Sequence, residues 1–225
     1  MDKKKLAEEV ELFQETQLNK EYENLTFTII LIQPETIGNI GSVARVMKNF
    51  NFSKLIVFNP VNPVEIIQSY EAQGFAMHGK DILLNSEIII VKNQKNYMNE
   101  LTELLKKFDL VLATTAKGSR HTNIKRIPIF PEDLSFPISE KPLDIAILFG
   151  KESRGLTNDE IGLADITLRI PASDEYSTLN LSHACGILLY EFFKKLYIIN
   201  IGRGKHPILL ADRDDRCILY EFIDK

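Results

Sequence analysis

Four short segments of the chain combine polar side chains with glycines, and each has residue types suited to binding or catalysis. The first is NIGSVAR at 39–45, in which Gly41 allows close backbone approach while Asn39 and Arg45 supply an amide and a cation. It lies between an apolar run and an amphipathic stretch, which predicts a helix N-terminus whose N–H groups can meet an anion. A capped strand-to-helix turn with a solvated arginine is an equally good interpretation of this segment alone.

The second segment, LFGKESRGL at 148–156, places a carboxylate after another apolar run. If that run is a parallel strand, Gly150 and Glu152 lie at the carboxyl edge of the sheet, where α/β folds bind ligands. The structural alternative is a tight connection in which Thr157 or Asn158 caps the next helix. We expect capping as well, but it does not explain Glu152 or Gly155, which favour a ligand site.

The third segment, at 169–186, is a polar loop followed by a helix that we expect to begin near Leu179. Ser177, Thr178 and Asn180 place two hydroxyls and an amide at the helix start. Such a cluster is more often an N-cap than a functional site. Both interpretations stay open at this point.

Histidine and cysteine do not form a recognisable catalytic or metal site. His183 and Cys185 are two residues apart on the predicted helix, so they face nearly opposite sides and cannot hydrogen-bond. The other histidines are scattered without metal-ligand spacing, and we expect no metal. The two cysteines, together with a charged start that lacks a signal-peptide pattern, predict a reduced, cytoplasmic protein.

The fourth segment, AKGSRHTNIKR at 116–126, carries four cations and no acidic residue. These are Lys117, Arg120, Lys125 and Arg126. Such a cluster can bind phosphates, although a charge run is more often a solvated loop. Its position directly after an apolar run that ends in LATT favours phosphate binding.

The elements that must position these segments follow a regular alternation. Six apolar runs predict buried strands, at 27–33, 54–60, 86–91, 109–115, 144–150 and 165–170. Helices are predicted between and after them, at 40–50, 63–78, 96–107 and 179–196. Continuous apolar runs that alternate with helices are typical of an α/β fold, a mostly parallel sheet with helices on both faces. The proline-rich stretch 117–142 is too long for an ordinary connection.

Composition predicts one main domain, at 25–198, flanked by two smaller segments. Residues 1–24 read as a charged helix or tail with seven acids and four lysines, so the other 201 residues carry only one of the four net negative charges. Residues 199–225 read as a helical extension that we expect to be truncated. The overall charge excludes nonspecific coating of nucleic acid but leaves room for a positive groove. No apolar run approaches the roughly 20 residues that cross a bilayer, so we expect no membrane insertion.

Taken in order, the motifs resemble those of the SPOUT methyltransferases, and their spacing is close to the TrmJ type of tRNA 2′-O-methyltransferase. The matching stretches are NIGSVARVMKNF with KLIVFNP, LATTA, LFGKESRGLTNDE and IPASDEYSTLNLSHA, which span about residues 27–196. The resemblance implies a deep C-terminal trefoil knot that binds S-adenosyl-L-methionine, and the end of the chain resembles the start of the family's helical extension.

Site residues follow from the resemblance by position. Those implied to bind the cofactor are Thr114, Thr115, Ala116, Gly150, Ile170, Ser177, Thr178 and Leu179. Those implied to be catalytic or to organise the pocket are Asn39, Arg45, Glu152, Thr178 and Asn180. The chain departs from common family residues at Lys151, where relatives often have arginine, and at Thr178, where they often have serine.

The resemblance also implies a homodimer that methylates the ribose 2′-hydroxyl of tRNA position 32, a cytidine or uridine in the anticodon loop, and does not act on DNA. The cations of 116–126 would then hold the RNA backbone. Because a guanidinium stays protonated in proteins, we expect Arg45 to contact phosphate and developing alkoxide rather than act as a general base. Alternatives are methylation of another tRNA or ribosomal RNA 2′-hydroxyl, or a non-catalytic RNA-binding relative.

Overall fold

The computed structural model of the chain describes residues 16–116 and 128–199, together with Ile218 and Phe222. The chain divides into two compact units, Gln17–Ile198 and a smaller unit of Met1–Thr16 with Ile199–Lys225. In the smaller unit, Ile218 and Phe222 are helical and exposed. The larger unit carries the six-stranded sheet and the site residues discussed below.

A six-stranded sheet forms the centre of the larger unit, and all its neighbouring strands are parallel. Its strands are β2 (Leu25–Ile32), β3 (Lys54–Phe58), β4 (Glu87–Ile89), β5 (Leu110–Thr114), β6 (Leu143–Phe149) and β7 (Ile166–Leu168). Their spatial order is β4-β3-β2-β6-β5-β7. All six predicted strands are therefore confirmed, as is the parallel arrangement.

Seven described helices accompany the sheet. They are α1 (Ile37–Asn49), α2 (Val64–Ile67), α3 (Tyr70–Ala76), α4 (Lys80–Leu84), α5 (Tyr97–Leu105), α6 (Asn158–Ile161) and α7 (Leu181–Leu196). The predicted helices at 40–50, 96–107 and 179–196 are confirmed as α1, α5 and α7. No helix among the described residues is both long enough and apolar enough to span a membrane.

The two faces of the sheet are covered by different helices. Alternate residues of β2 point to opposite faces. Ile29 belongs to the same buried cluster as Met47 of α1 and Phe192 of α7, whereas Ile30 belongs to the cluster that includes Leu101 of α5. Strands buried on both faces explain why the sequence shows continuous apolar runs. The predicted helices on both faces are confirmed.

The single helix predicted at 63–78 is wrong in detail. Helix α2 ends at Ile67, and α3 begins afresh because the Ser69 side chain accepts a hydrogen bond from the Ala72 N–H. This N-cap starts a new helix. Two short helices replace the long one because local capping overrides the helical spacing of the apolar residues.

The charged helix or tail predicted at 1–24 contains other elements where the structure describes it. Thr16–Leu18 is strand β1, which forms a two-stranded sheet with β8 (Tyr197–Ile199), and Lys20–Tyr22 is a 3-10 helix. The Asn19 N–H donates to the Leu196 carbonyl at 2.8 Å. Pairing with a strand distant in sequence is what the local helical pattern could not reveal. Residues 1–15 lie outside the described part of the chain.

Cys185 on α7 offers a test of the core that covers one face of the sheet. Its side chain is fully buried, and burial raises the pKa of its thiol far above the ordinary range. In a Cys217→Ser variant, which leaves Cys185 as the single thiol of the sequence, we expect negligible reaction with Ellman's reagent in native buffer at pH 8. After unfolding in guanidinium, the Cys185 thiol should react, giving one reactive thiol per chain. Rapid reaction of the folded variant would contradict this packing.

Candidate functional site

A cavity of about 300 Å³ opens at the carboxyl ends of β5, β6 and β7. All eight residues predicted to bind the cofactor line it, namely Thr114, Thr115, Ala116, Gly150, Ile170, Ser177, Thr178 and Leu179. These residues come from three separate segments of the chain. The structure therefore brings together what the sequence places up to about sixty residues apart.

The cavity has an apolar floor and a polar rim. Phe149, Leu156, Leu168, Leu181 and Leu188 supply the aliphatic and aromatic surface. The polar side comes from the loop after β6, through the consecutive residues Lys151, Glu152, Ser153 and Arg154. A pocket that combines apolar surface with placed polar groups is typical of sites for small organic ligands.

The loop after β6 makes a tight turn that leaves no room for a side chain at Gly150. A Cβ atom there would lie 2.2 Å from the Gly155 carbonyl carbon and from the Leu156 nitrogen. The turn is closed by the Gly155 N–H, which donates to the Lys151 carbonyl at 2.7 Å, and Gly155 has a φ of 71°. Glycine is therefore required at 150 by space and favoured at 155 by backbone conformation.

The Glu152 carboxylate joins this turn to the start of α1. It accepts hydrogen bonds from the Glu35 N–H at 2.8 Å, the Thr36 N–H at 3.1 Å and the Asn39 amide Nδ2 at 3.0 Å. The N-cap residue of α1, Thr36, makes no side-chain capping bond of its own. A carboxylate from more than a hundred residues away thus satisfies the helix N-terminus.

A directional chain of hydrogen bonds continues from Glu152 to α7. Because an ionised carboxylate only accepts, the Asn39 Nδ2 points to Glu152 and its Oδ1 accepts from the Asn180 Nδ2 at 3.0 Å. The Asn180 Oδ1 then accepts from the backbone N–H and the hydroxyl of Ser182, which makes Asn180 the N-cap of α7. The predicted residues Asn39, Glu152 and Asn180 are therefore in direct contact.

Glu35 makes a reciprocal contact with the same turn. Its carboxylate accepts from the Ser153 N–H at 2.9 Å and pairs with the Lys151 Nζ at 3.1 Å, while its own N–H donates to Glu152. Desolvation alone would raise the pKa of the Glu35 carboxyl, but the hydrogen bonds from Ser153 and Lys151 hold it below its usual value. Sequence reasoning missed Glu35 because the two loops are more than a hundred residues apart.

The cavity loop is also anchored on its far side. Thr157 caps α6 in a capping box with Glu160, as one of the two capping alternatives predicted. The Glu160 carboxylate is almost fully buried and accepts from the Tyr97 hydroxyl of α5. Burial and this carboxylate raise the pKa of Tyr97 above its ordinary range, so the phenol stays a donor. The loop 150–157 is thus fixed at both ends.

Thr114 and Thr115 hold the end of β5 beside its neighbours. The Thr114 hydroxyl donates to the Leu148 carbonyl of β6 at 2.8 Å, and the Thr115 N–H donates to the Leu168 carbonyl of β7 at 2.9 Å. The end of β5, which lines the cavity, is therefore held between β6 and β7.

Arg45 does not line this cavity. Arg45 is exposed on α1, six residues after Asn39, and about 9 Å further along the helix axis at the usual rise per residue. Asn39 and Arg45 lie on one continuous helix, with no turn between them that folds back. Lys117, Arg120, Lys125 and Arg126 lie outside the described residues.

Comparison with known proteins agrees with this geometry. The SpoU rRNA Methylase family matches residues 26–190, which include every element that lines the cavity. The chain belongs to this family. A tRNA (cytidine-2′-O-)-methyltransferase TrmJ of Methanocaldococcus jannaschii is 37% identical over 208 residues, covering 89% of this chain and 83% of the relative.

Two further relatives come from bacteria. A tRNA (cytidine/uridine-2′-O-)-methyltransferase TrmJ of Pectobacterium atrosepticum is 31% identical over 197 residues, or 84% of this chain and 74% of the relative. The crystal structure of TrmJ from Z. mobilis ZM4 superposes with a TM-score of 0.60 at 26% identity, covering 88% of this chain and 77% of that chain. The predicted SPOUT-type methyltransferase family and its α/β fold are thereby confirmed.

Gly150 tests whether the close turn of the SpoU-type cavity is as tight as described. We expect Gly150→Ala to lower the free energy of unfolding by about 3 kcal/mol, because its Cβ would collide with backbone atoms. The matched control is Gly74→Ala on α3, where a Cβ meets nothing within 4 Å. It should be neutral or stabilising by up to about 1 kcal/mol. Urea unfolding of both variants would decide, and a Gly150→Ala chain as stable as the parent would refute the turn.

Proposed function

We propose that this chain transfers a methyl group from S-adenosyl-L-methionine to a ribose 2′-hydroxyl of tRNA. The observation that carries the proposal is the convergence of three loops on one cavity, with the Glu152–Asn39–Asn180 chain at its rim. The activity for which the TrmJ relatives are named, at 37% and 31% identity over most of this chain, supports the same reaction.

The residues present fit the proposed cofactor. Adenine is an apolar ring with polar edges, and the cavity offers aliphatic surface from Leu156, Leu168 and Ile170 beside main-chain groups of Thr114 and Gly150. Thr178 replaces the common serine and retains the hydroxyl while adding a methyl group. When bound, the donor supplies an electrophilic methyl on a sulfonium, so the protein's part is to position it and the accepting oxygen.

The catalytic roles follow from position and chemistry. Asn39 and Asn180 are fixed by their shared hydrogen bonds, so they can orient a ribose at the rim without rearranging. Arg45 lies outside the cavity of its own chain, which supports a homodimer in which the exposed α1 of one copy faces the cavity of the other. There its guanidinium would contact the phosphate beside the reacting ribose and stabilise the developing alkoxide.

Substrate recognition belongs to the same proposal. Lys117, Arg120, Lys125 and Arg126 follow Ala116, which lines the cavity, and four cations at this place suit an RNA backbone. We propose position 32 of the anticodon loop, a cytidine or uridine, as the target nucleotide. The deep knot also stays a prediction, because the path of 117–127 lies outside the described residues. A cytoplasmic location would fit a tRNA substrate.

Methyl transfer can be measured directly. Purified chain, unmodified tRNA transcripts and methyl-labelled cofactor should give label in tRNA and 2′-O-methylation at nucleotide 32 on mapping. A transcript with a 2′-deoxyribose at that nucleotide is the matched control, because it lacks only the accepting hydroxyl. Label at another tRNA site or in ribosomal RNA would support the same reaction on the alternative substrates, and no transfer to any RNA would favour a non-catalytic RNA-binding protein.

Arg45 can be tested separately from the cofactor cavity. We expect Arg45→Lys to lower the methylation rate about 100-fold, since lysine keeps the charge but loses the planar pair of donors. Binding of S-adenosylhomocysteine should stay unchanged, because Arg45 does not line the cavity. A rate profile close to that of the parent across pH 6–9 would rule out the planar, bidentate role.

A further inference from the structure

The ion pair between Glu35 and Lys151 stands at the rim of the cavity and has no place in the mechanism above. Lys151 lines the cavity and is three-quarters buried, and its Nζ lies 3.1 Å from the Glu35 carboxylate. Glu35 itself does not line the cavity, but it accepts from the Ser153 N–H at 2.9 Å. One carboxylate therefore both fixes the loop and pairs with its cation.

The other charges of this loop are already engaged. The Arg154 guanidinium donates to the Gln33 side chain at 2.7 Å and lies 3.8 Å from the buried Glu160. The Glu152 carboxylate accepts from three N–H donors. Among the described residues, Glu35 is thus the partner that compensates Lys151.

Compensation matters because of the ligand's charge. S-adenosyl-L-methionine carries a sulfonium cation, whereas S-adenosylhomocysteine carries a neutral thioether at the same atom. An unpaired ammonium in a half-buried cavity wall would repel the sulfonium form and leave the thioether form almost unaffected. If the ammonium is paired with a carboxylate, the cavity should bind the sulfonium and the thioether forms with similar affinity.

We propose that Glu35 is a positioning residue for the methyl donor, holding the loop after β6 in place and cancelling the charge of Lys151 so that the cavity accepts a sulfonium. This inference rests on the proposed function. It names a residue that touches neither cofactor nor substrate and acts through Lys151 and Ser153. Loss of loop positioning alone would weaken both ligands equally, whereas loss of charge compensation would separate them.

The experiment is calorimetric titration of the full chain with each ligand, in the absence of RNA. The variants are Glu35→Gln, Lys151→Met and the double variant. The matched control is Glu87→Gln, at an exposed carboxylate of β4 that makes no side-chain hydrogen bond or ion pair with another described residue. Circular dichroism melting shows which variants fold. Each titration is run at low and at high salt.

We expect Glu35→Gln to lower the binding affinity for S-adenosyl-L-methionine about fivefold more than the affinity for S-adenosylhomocysteine. Lys151→Met should move this ratio the opposite way, and the double variant should return it to within about twofold of the parent. High salt should shrink the differences, since part of the pair is exposed. Glu87→Gln should bind both ligands as the parent does.

Two results would overturn the inference. One is an equal loss, or no loss, for the two ligands in Glu35→Gln. The other is an unchanged ratio in Lys151→Met, which also decides the matter if Glu35→Gln does not fold. Absence of binding of both ligands to the parent chain would instead overturn the proposed function, and with it the inference.

Discussion

The site depends on one carboxylate that accepts from three donors across a large separation in sequence. Glu152 leaves the cavity turn and satisfies the N-terminus of α1, where Thr36 provides no cap of its own. Through Asn39 the same carboxylate sets the orientation of Asn180 and so the first turn of α7. An ionised carboxylate cannot donate, so every amide along this chain has only one satisfactory orientation. The side-chain orientations of Asn39 and Asn180 therefore both depend on Glu152.

The parallel sheet provides the frame that this network requires. Strands β5, β6 and β7 all end at the same edge, so the loops that follow them meet without a special device. The register of β2 with β6 places the loop before α1 beside the loop after β6, which is where the Glu35 and Glu152 contacts form. The buried strands thus place the polar motifs that follow them at one edge of the sheet.

Much of this arrangement can be predicted from sequence because its signals are local. Apolar runs predict the strands. Gly150, Ser177 and Thr178 lie in motifs whose order and spacing identify the family. The break between α2 and α3 was missed because one serine cap decides it. Strand β1 and the Glu35–Lys151 pair were missed for a different reason: each depends on a partner far along the chain, and no local pattern encodes such pairing.

The small sheet of β1 and β8 brings the two ends of the larger unit close together. Because Asn19 is bonded to Leu196, the chain enters and leaves this unit at adjacent points on its surface. A domain whose ends meet in this way can be joined end to end by a short linker and given new termini elsewhere. For the same reason, we expect that the unit can be inserted through its two ends into a surface loop of another protein.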